Sequence, residues 1–281
     1  MRPKKSDVRR SMMAERIAAR GSCSAQELAN EFNVSIMTIH RDLDDLQHRG
    51  IVRKFHGGAT AQPSSVFESR MIFRQDVEPE KKNVIARHAL TFVHPGMSIL
   101  LDDSTSALHM ISGLADRAPL HVSTTFLSGL RRLVELQDVP GMTVIAIGGR
   151  YDPMHDSFVG SQALSQIANM RWDALFMSAP AVDGQSIFHQ EDRMVGVKKA
   201  MMEASKKKYL LVNNTKIGKV ALHKVASLSE FDLVITDEDA DSQILEQWET
   251  NGVPFFVAKE ALVKKMDRSQ GPADVGYEYE V

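Results

Sequence analysis

Short apolar runs alternate with helical segments beyond residue 80, and this alternation constrains the fold more than any other feature of the chain. Strands that alternate with helices favour a mostly parallel sheet with helices on both faces. The predicted strands lie in SILLD, LHVSTT, MTVIAIGG, DALFMSA, KYLLVNN, FDLVITD and VPFFVA. The helices between them are predicted in NVIARHALTFV, SALHMISGLA, SGLRRLVELQ, SQALSQIANM and GVKKAMMEAS. The pattern therefore predicts an α/β domain.

The first 60 residues follow a different plan. Helical spacing predicts a first helix over 8–19, and the segment SAQE, with Ser24 three residues before Glu27, is a capping box that opens a second. Ser35 is predicted to cap a third helix that ends at Gly50, and IVRKFHGG is predicted to form a short hairpin. Three helices and a hairpin are the plan of a winged helix-turn-helix domain.

At 281 residues the chain is long for one core, and two domains are expected. Residues 61–80 mix Pro, Ser and charge without periodicity, as a linker does. We predict a winged helix-turn-helix domain over 1–60, a linker over 61–80, a larger α/β domain over 81–266 and a flexible tail over 267–281.

Composition narrows the class of protein. The single cysteine excludes an intrachain disulfide, and neither a secretory signal nor an apolar run of membrane-spanning length is present. These features favour a cytoplasmic protein without a membrane partner. Residues 1–60 contain 11 Lys and Arg against 7 Asp and Glu, whereas residues 61–281 contain 23 against 29. A basic module on an acidic body suggests a polyanionic partner at one end.

The third helix of the N-terminal domain has two unlike faces. Its predicted inward stripe consists of Ile36, Ile39, Leu43 and Leu46. Met37 and Arg41 are predicted to point outward, flanked by Thr38 and His40. In a helix-turn-helix, this N-terminal half meets base edges in the major groove, where Arg can contact guanine and Met or Thr a thymine methyl group.

Phosphate contacts are predicted around that helix. The Ser35 and Thr38 hydroxyls can bind phosphate, and Arg53, Lys54 and His56 of the hairpin suit the DNA backbone. Asp44 and Asp45 have to lie away from the phosphates. An ordinary solvated helix face would contain similar residues, so the helix alone leaves both interpretations open.

The stretch ELANEFNVSIMTIHRDLDDLQHRGIVRKFHGGA resembles the N-terminal signature of the DeoR family of bacterial transcriptional repressors. The matching positions are Val34, Ser35, Thr38, Ile39, Arg41, Asp42, Leu43 and His56 to Ala59. His40 departs from the arginine that is usual in the family. A neutral imidazole there removes a permanent charge and introduces a group that titrates near physiological pH.

The resemblance continues to about residue 258, through GMSILLDDSTS, IAIGGRYDPMHDSFVG, VKKAMMEAS, NNTKIG and VITD. It implies an effector domain related in fold to sugar-phosphate isomerases, deaminases and CoA transferases, which senses a phosphorylated sugar or related metabolite. It also implies that Gly149, in the Gly-Gly stretch, belongs to the effector site. Ser104, Asn213 and Met194 replace residues that are usual in the family and put the usual effector in doubt.

The segment LLDDSTSAL is predicted to be a strand, a loop and a helix, in which backbone N–H groups and the hydroxyls of Ser104, Thr105 and Ser106 can bind phosphate. A plain helix cap is the alternative. Asp102 and Asp103 would repel a dianion. Either Asp103 points away, or the effector has hydroxyls or a cation in place of phosphate. Lys216 is the expected positive group.

Two classes of function follow. The first is a DNA-binding regulator, which we expect to be a repressor of a carbohydrate operon. It would bind a double-stranded operator as a dimer or tetramer and release it when the effector binds. The second is a sugar-phosphate isomerase or deaminase with an appended DNA-binding domain. An activator with the same sensor is not separated from a repressor by sequence. We expect no enzymatic activity and no cofactor. We also expect no metal, because the histidines include no His-x-x-x-His pair that would form a helical zinc site.

Overall fold

The computed structural model describes residues 5–48, 51–61, 74 and 78–260. Most of the predicted linker, the predicted helix stop at Gly50 and the predicted tail lie outside these residues. The division into domains therefore stays a prediction. No helix within the described ranges is long and apolar enough to span a membrane.

The N-terminal unit is a three-helix bundle with a small antiparallel sheet. Its elements are α1 (Lys5–Arg20), β1 (Ser22–Ser24), α2 (Ala25–Phe32), α3 (Ile36–His48), β2 (Val52–Phe55) and β3 (Gly58–Ala61). The predicted helices and hairpin are present. The sequence did not predict β1, which pairs with β3 and adds a third strand to the sheet.

Local capping fixes the helix-turn-helix. Ser24 and Glu27 form the predicted capping box at the start of α2. Asn33 ends that helix in the left-handed conformation, with φ 50°, and so turns the chain towards α3. The Ser35 hydroxyl then accepts a hydrogen bond from the Thr38 backbone N–H at 3.2 Å, as its predicted capping role requires. Met13, Ile17 and residues of α2 and α3 form the core beneath.

The larger unit is built on a parallel sheet. Its strands are β4 (Ser98–Leu101), β5 (Leu120–Thr124), β6 (Met142–Ala146), β7 (Arg150–Asp152), β8 (Ser157–Val159), β9 (Trp172–Met177), β10 (Ala181–Val182), β11 (Ser186–His189), β12 (Ser205–Leu211), β13 (His223–Ser227), β14 (Leu233–Asp237) and β15 (Phe255–Ala258). Seven of them form one sheet in the order β15-β14-β12-β9-β4-β5-β6, with parallel pairing throughout. These are the seven strands that the sequence predicts.

Helices cover both faces of this sheet, and a separate apolar core lies on each side. The helices are α4 (Pro79–Ala89), α5 (Thr105–Leu108), α6 (Leu127–Val134), α7 (Ser161–Ala168), α8 (Asp192–Glu203) and α9 (Ser242–Thr250). The sequence did not predict α9. Two antiparallel additions were also missed: the hairpin of β7 and β8, and the sheet β10-β11-β13.

The helix predicted over SALHMISGLA is wrong in its length. The α-helical part, α5, is one turn, followed by 3₁₀ turns over Ile111–Gly113 and Ala115–Arg117. Small and β-branched residues around Gly113 favour short turns over a continuous helix. One turn has only a small dipole, so the predicted anion site at this helix end loses much of its physical basis.

Candidate functional site

The inner face of α3 is attached to the N-terminal core. Ile39 and Leu43 are fully buried. Asp42, only 3% exposed, accepts a hydrogen bond of 2.6 Å from Nε of Arg9 on α1. An almost buried carboxylate needs such a partner. The pair therefore fixes the rotation of α3 and decides which side chains face outward.

The outer face of α3 holds the side chains predicted for base contact. Met37 is 76% exposed and Arg41 is exposed, while Thr38 and His40 are half-buried beside them. Ile36 was predicted to point inward, and this is wrong, because it is 41% exposed. It lies in the first turn of α3, which projects beyond the core. The outward face is thus more apolar than predicted.

The residues predicted to bind phosphate differ in their exposure and in the hydrogen bonds that they already make. The Ser35 and Thr38 hydroxyls lie 2.8 Å apart and bond to each other. Arg53 and His56 are exposed on the hairpin. Lys54 is instead held by Asp44, with 2.5 Å between Nζ and Oδ1, so it has to exchange this partner for a phosphate.

Asp44 and Asp45 of α3, which the DNA-binding interpretation requires to lie away from the phosphates, each have a basic partner. The hydrogen bond from Lys54 holds the pKa of Asp44 below its ordinary value. Asp45 lies 3.3 Å from a guanidinium nitrogen of Arg10. Both carboxylates therefore have a cation beside them, which reduces their repulsion of a phosphate backbone.

In the larger unit, Asp102 anchors the loop that follows β4. One of its carboxylate oxygens accepts a hydrogen bond from the Ser104 N–H at 3.0 Å. The other accepts from the Ser178 N–H at 2.9 Å and from Lys198 Nζ at 2.8 Å. The carboxylate thus joins the ends of β4 and β9 to helix α8, at the carboxyl edge of the parallel sheet, where ligands of such sheets bind.

Lys198 resolves the problem of the paired carboxylates. Its ammonium group lies 2.8 Å from Asp102 and 3.2 Å from Asp103, and all three residues are less than 5% exposed. Neither expected solution, an outward Asp103 or a compensating ligand, included this lysine, which offsets one of the two negative charges. Our sequence reasoning missed Lys198 as the counter-ion, although it lies in the landmark VKKAMMEAS. We also missed Ser178, whose only signal is its position near the end of a predicted strand.

Lys216 was predicted to offset the two carboxylates, and the structure shows Lys198 as a cation in contact with both of them. Lys216 Nζ donates a hydrogen bond to Ser178 Oγ at 2.8 Å, and the Ser178 carbonyl accepts one from Lys198 Nζ at 3.1 Å. Ser178 thereby brings two lysines together at the sheet edge. The structure does place Lys216 beside the predicted loop.

The three hydroxyl residues of this loop have different roles. Ser104 caps α5 by accepting a hydrogen bond from the Ala107 N–H at 3.1 Å. Thr105 and Ser106 are buried. Ser106 Oγ is fully enclosed and has no hydrogen-bond partner among the described residues. A Cβ at Gly149 would meet Val159 and Ala163 first, so this glycine packs against the β8–α7 segment and not against the loop.

The segment that carries Lys216 also contacts the start of α4, which overlaps the last residues of the predicted linker. Asn213 Nδ2 lies 3.5 Å from Glu78 Oε2, and Lys81 Nζ donates to Asn214 Oδ1 at 3.0 Å. Burial raises the pKa of the nearby Asp237. Burial would lower the pKa of Lys81, but its hydrogen bonds to Asp239 and Glu78 outweigh this and raise it.

The solved structures that are similar to this chain are remote. Ribose 5-phosphate isomerase A of Methanocaldococcus jannaschii aligns with a TM-score of 0.36 at 16% identity, over 50% of this chain and 54% of that one. The translation initiation factor eIF-2B of Pyrococcus horikoshii OT3 aligns with a TM-score of 0.42 at 10% identity, over 83% and 90%. Likenesses of this size do not identify a function.

Sequence relatives are more informative. "Uncharacterized HTH-type transcriptional regulator YgbI" of Escherichia coli K12 is 32% identical over 89% of this chain and 97% of its own length. "HTH-type transcriptional regulator GolR" of Listeria innocua is 30% identical over 83% and 91%. The "Putative aga operon transcriptional repressor" of Escherichia coli O157:H7 is 25% identical over 90% and 94%.

Two family models match the two units. The model of the DeoR-like helix-turn-helix domain matches residues 9–65, and the model of the DeoR C terminal sensor domain matches residues 77–238. Together they span the exposed face of α3, the loop that begins at Asp102, and the separate segment that contains Lys216. The chain therefore belongs to the DeoR family of transcriptional regulators.

Proposed function

We propose that this regulator represses a carbohydrate-metabolism operon and releases its operator when a small phosphorylated sugar or related metabolite binds residues 81–258. The observation that carries the proposal is the exposed outer face of α3, whose inner face is fixed by the pair of Asp42 and Arg9. Relatives named as repressors of the aga operon and of the lactose phosphotransferase system support the direction of control. One named "L-fucose operon activator" keeps activation as the alternative.

On the DNA, Met37, Thr38, His40 and Arg41 contact base edges, and Ser35 with residues of the hairpin contacts phosphates. A two-fold operator is matched by a two-fold protein, so we propose a dimer or tetramer. Chromosomal DNA as the partner places the protein in the cytoplasm.

The effector site is the loop 102–106 together with Ser178 and Lys216. Lys198 compensates one of the two buried negative charges, and Lys216, which is bonded to the same Ser178, supplies a second positive charge for an anionic or polyhydroxyl ligand. Ser106 Oγ is a buried group without a hydrogen-bond partner in the part of the chain that the structure describes, and hydroxyl-rich ligands provide such partners. This supports a carbohydrate-derived ligand.

Release follows from contacts already in place. A ligand that draws Lys216 away from Ser178 moves the segment 213–216, which touches Glu78 and Lys81 at the start of α4. The effector has to bind the released form more tightly by the same factor by which it lowers DNA affinity.

Operator binding is tested by fluorescence anisotropy with the DNA upstream of the regulator's own operon and with a scrambled duplex of equal length. We expect preferential binding to the upstream DNA, with affinity that falls as salt rises. Equal affinity for both duplexes would contradict the proposal.

The effector loop is tested with a matched pair of serine variants, after thermal-shift screening of sugars, sugar phosphates and sugar acids has found a ligand. Ser106→Ala breaks no internal hydrogen bond among the described residues, so stability should be kept while effector-induced release weakens. Ser104→Ala should cost about 1 kcal/mol of stability through the lost cap. Unchanged release in Ser106→Ala would remove this residue from the site.

We also propose that the sensor is not an enzyme. A sugar-phosphate isomerase or deaminase needs a positioned general base beside the phosphate loop, usually a carboxylate that is able to accept a proton from substrate. Asp102 is bonded on both oxygens and Asp103 is paired with Lys198. Turnover of any sugar phosphate in a panel by the full-length protein would overturn this view.

A further inference from the structure

A second cluster of polar side chains lies between the β7–β8 turn and the start of α8. Asp152 ends β7, His155 lies in the turn, and Glu191 precedes α8. Each offers one ligand atom, and these atoms all lie within 4.8 Å of one another. Asp152 and His155 are only 4% and 1% exposed, and Glu191 is half-buried. None of the effector-loop residues belongs to this cluster.

The local backbone holds these donors in position. Asp152 Oδ1 accepts a hydrogen bond from the Met154 N–H at 3.0 Å, which fixes the turn. His155 Nδ1 then lies 3.0 Å from Asp152 Oδ2. The Glu191 N–H donates to His189 Nδ1 at 3.1 Å, and the His189 ring lies 5.4 Å from that of His155. The cluster is therefore ordered without any contribution from a ligand.

Arg193 shows what this cluster attracts. Its guanidinium group lies 3.2 Å from Asp152 Oδ2 and also pairs with Glu191. The side chain of Arg193 is 40% exposed, so it is able to turn into solvent. A cation that is replaceable thus lies between two carboxylates and beside an imidazole.

From this geometry we propose that Asp152, His155 and Glu191 bind a divalent transition-metal ion, which takes the place of the Arg193 charge. Imidazole and carboxylate donors suit Zn²⁺, Mn²⁺ and Fe²⁺. Around Zn²⁺, tetrahedral ligand atoms lie about 3.4 Å apart, because each is about 2.1 Å from the ion. Asp152 and His155 lie 3.0 Å apart, close to this separation. The Glu191 oxygen lies within 4.8 Å of both and therefore has to approach by at most about 1.4 Å, within reach of side-chain rotation.

The expectation of no metal rested on helical His-x-x-x-His spacing. That test does not detect this cluster, whose members come from a hairpin and from a helix start about 40 residues later in the chain. The folding of the sheet brings them together.

The test is titration calorimetry of the full-length, tag-free, chelator-treated protein with Zn²⁺ and with Mn²⁺. We expect one Zn²⁺ per chain. Glu191→Gln and His155→Ala should each weaken Zn²⁺ binding by more than about tenfold. A loss of about tenfold is expected when only a residue that hydrogen-bonds to a metal-ligating side chain is removed. Arg193→Gln should tighten binding, because the competing charge is gone. His94→Ala, which removes an exposed histidine elsewhere, should leave affinity unchanged.

Two results would overturn the proposal: no Zn²⁺ binding by the wild-type protein, or equal affinity in wild type, Glu191→Gln and His155→Ala. Weaker binding by Arg193→Gln would also oppose it, since Arg193 would then assist binding. Glu191→Gln keeps the size of a half-buried side chain, so the test remains decisive even where His155→Ala fails to fold.

Discussion

The DNA-binding surface and the sensor loop use similar residue types in opposite environments. On α3 and the hairpin, Arg41 and Arg53 are exposed, and the pair of Lys54 and Asp44 lies near solvent. In the sensor, Asp102, Asp103 and Lys198 are almost completely buried. A duplex approaches from outside and needs accessible charge. A small ligand is enclosed, and the groups around it have to be desolvated.

The difference lies in what each charge costs the fold. An exposed ion pair contributes about 0–1 kcal/mol, whereas an unpaired buried charge costs several. Charges on the DNA side are therefore free to serve binding, and those in the sensor are constrained by stability as well.

The largest expected effect is that of Lys198→Met. It leaves Asp102 and Asp103 buried without their cation and should lower the free energy of unfolding by about 3–5 kcal/mol. Chemical denaturation measures this loss. The control is Lys207→Met, which breaks the exposed pair with Asp232 and should cost at most about 1 kcal/mol. Equal losses would abolish the contrast between buried and exposed pairs.

Acid should destabilise the sensor through His88. Burial against Phe256 lowers the pKa of His88 from 6.5 to about 4. Between these pH values the unfolded chain binds a proton that the folded chain excludes. Stability should therefore be complete above pH 6.5 and fall towards pH 4, by at most about 3 kcal/mol from this group.

His88→Phe keeps a ring against Phe256 and should flatten that part of the pH profile. The measurement is thermal or urea unfolding of wild type and variant from pH 7 to pH 4, with His94→Phe as the exposed control. An unchanged slope in His88→Phe would show that other groups cause the acid sensitivity.

Arg41→Ala addresses the exposed side of the comparison. It should lower operator affinity by about 1–3 kcal/mol and relax base preference, because we propose that Arg41 contacts a base edge. Thermal stability should be unchanged, since the side chain is exposed. Anisotropy titrations against operator and single-base variants measure both effects. Wild-type affinity and preference would show that the recognition helix has been misassigned.

Lys54→Ala should have the smallest effect. It should weaken all DNA about equally and reduce the salt slope by about 1. The gain from phosphate contact is partly offset in the wild type, because Lys54 first has to leave Asp44. Arg53→Ala is the matched comparison without that pair, and it should cost more. The reverse order would mean that the Asp44 pair does not compete with DNA.

The sequence by itself determined the family, the three N-terminal helices and the seven strands of the parallel sheet. Hydrogen bonds between residues close in sequence set the helix caps at Ser24 and Ser35. Short-range periodicity sets the seven apolar strands. The base-contact candidates on α3 also followed from the helical period. The inward prediction for Ile36 was wrong, because its exposure depends on where the core ends.

Only the tertiary structure decided which distant residues meet. Lys198 reaches Asp102 across 96 positions, Ser178 joins two lysines, and Glu191 comes beside Asp152. The reason is that parallel strand order and helix rotation set these distances. Both arise from the packing of the whole sheet, which no local pattern of residues encodes.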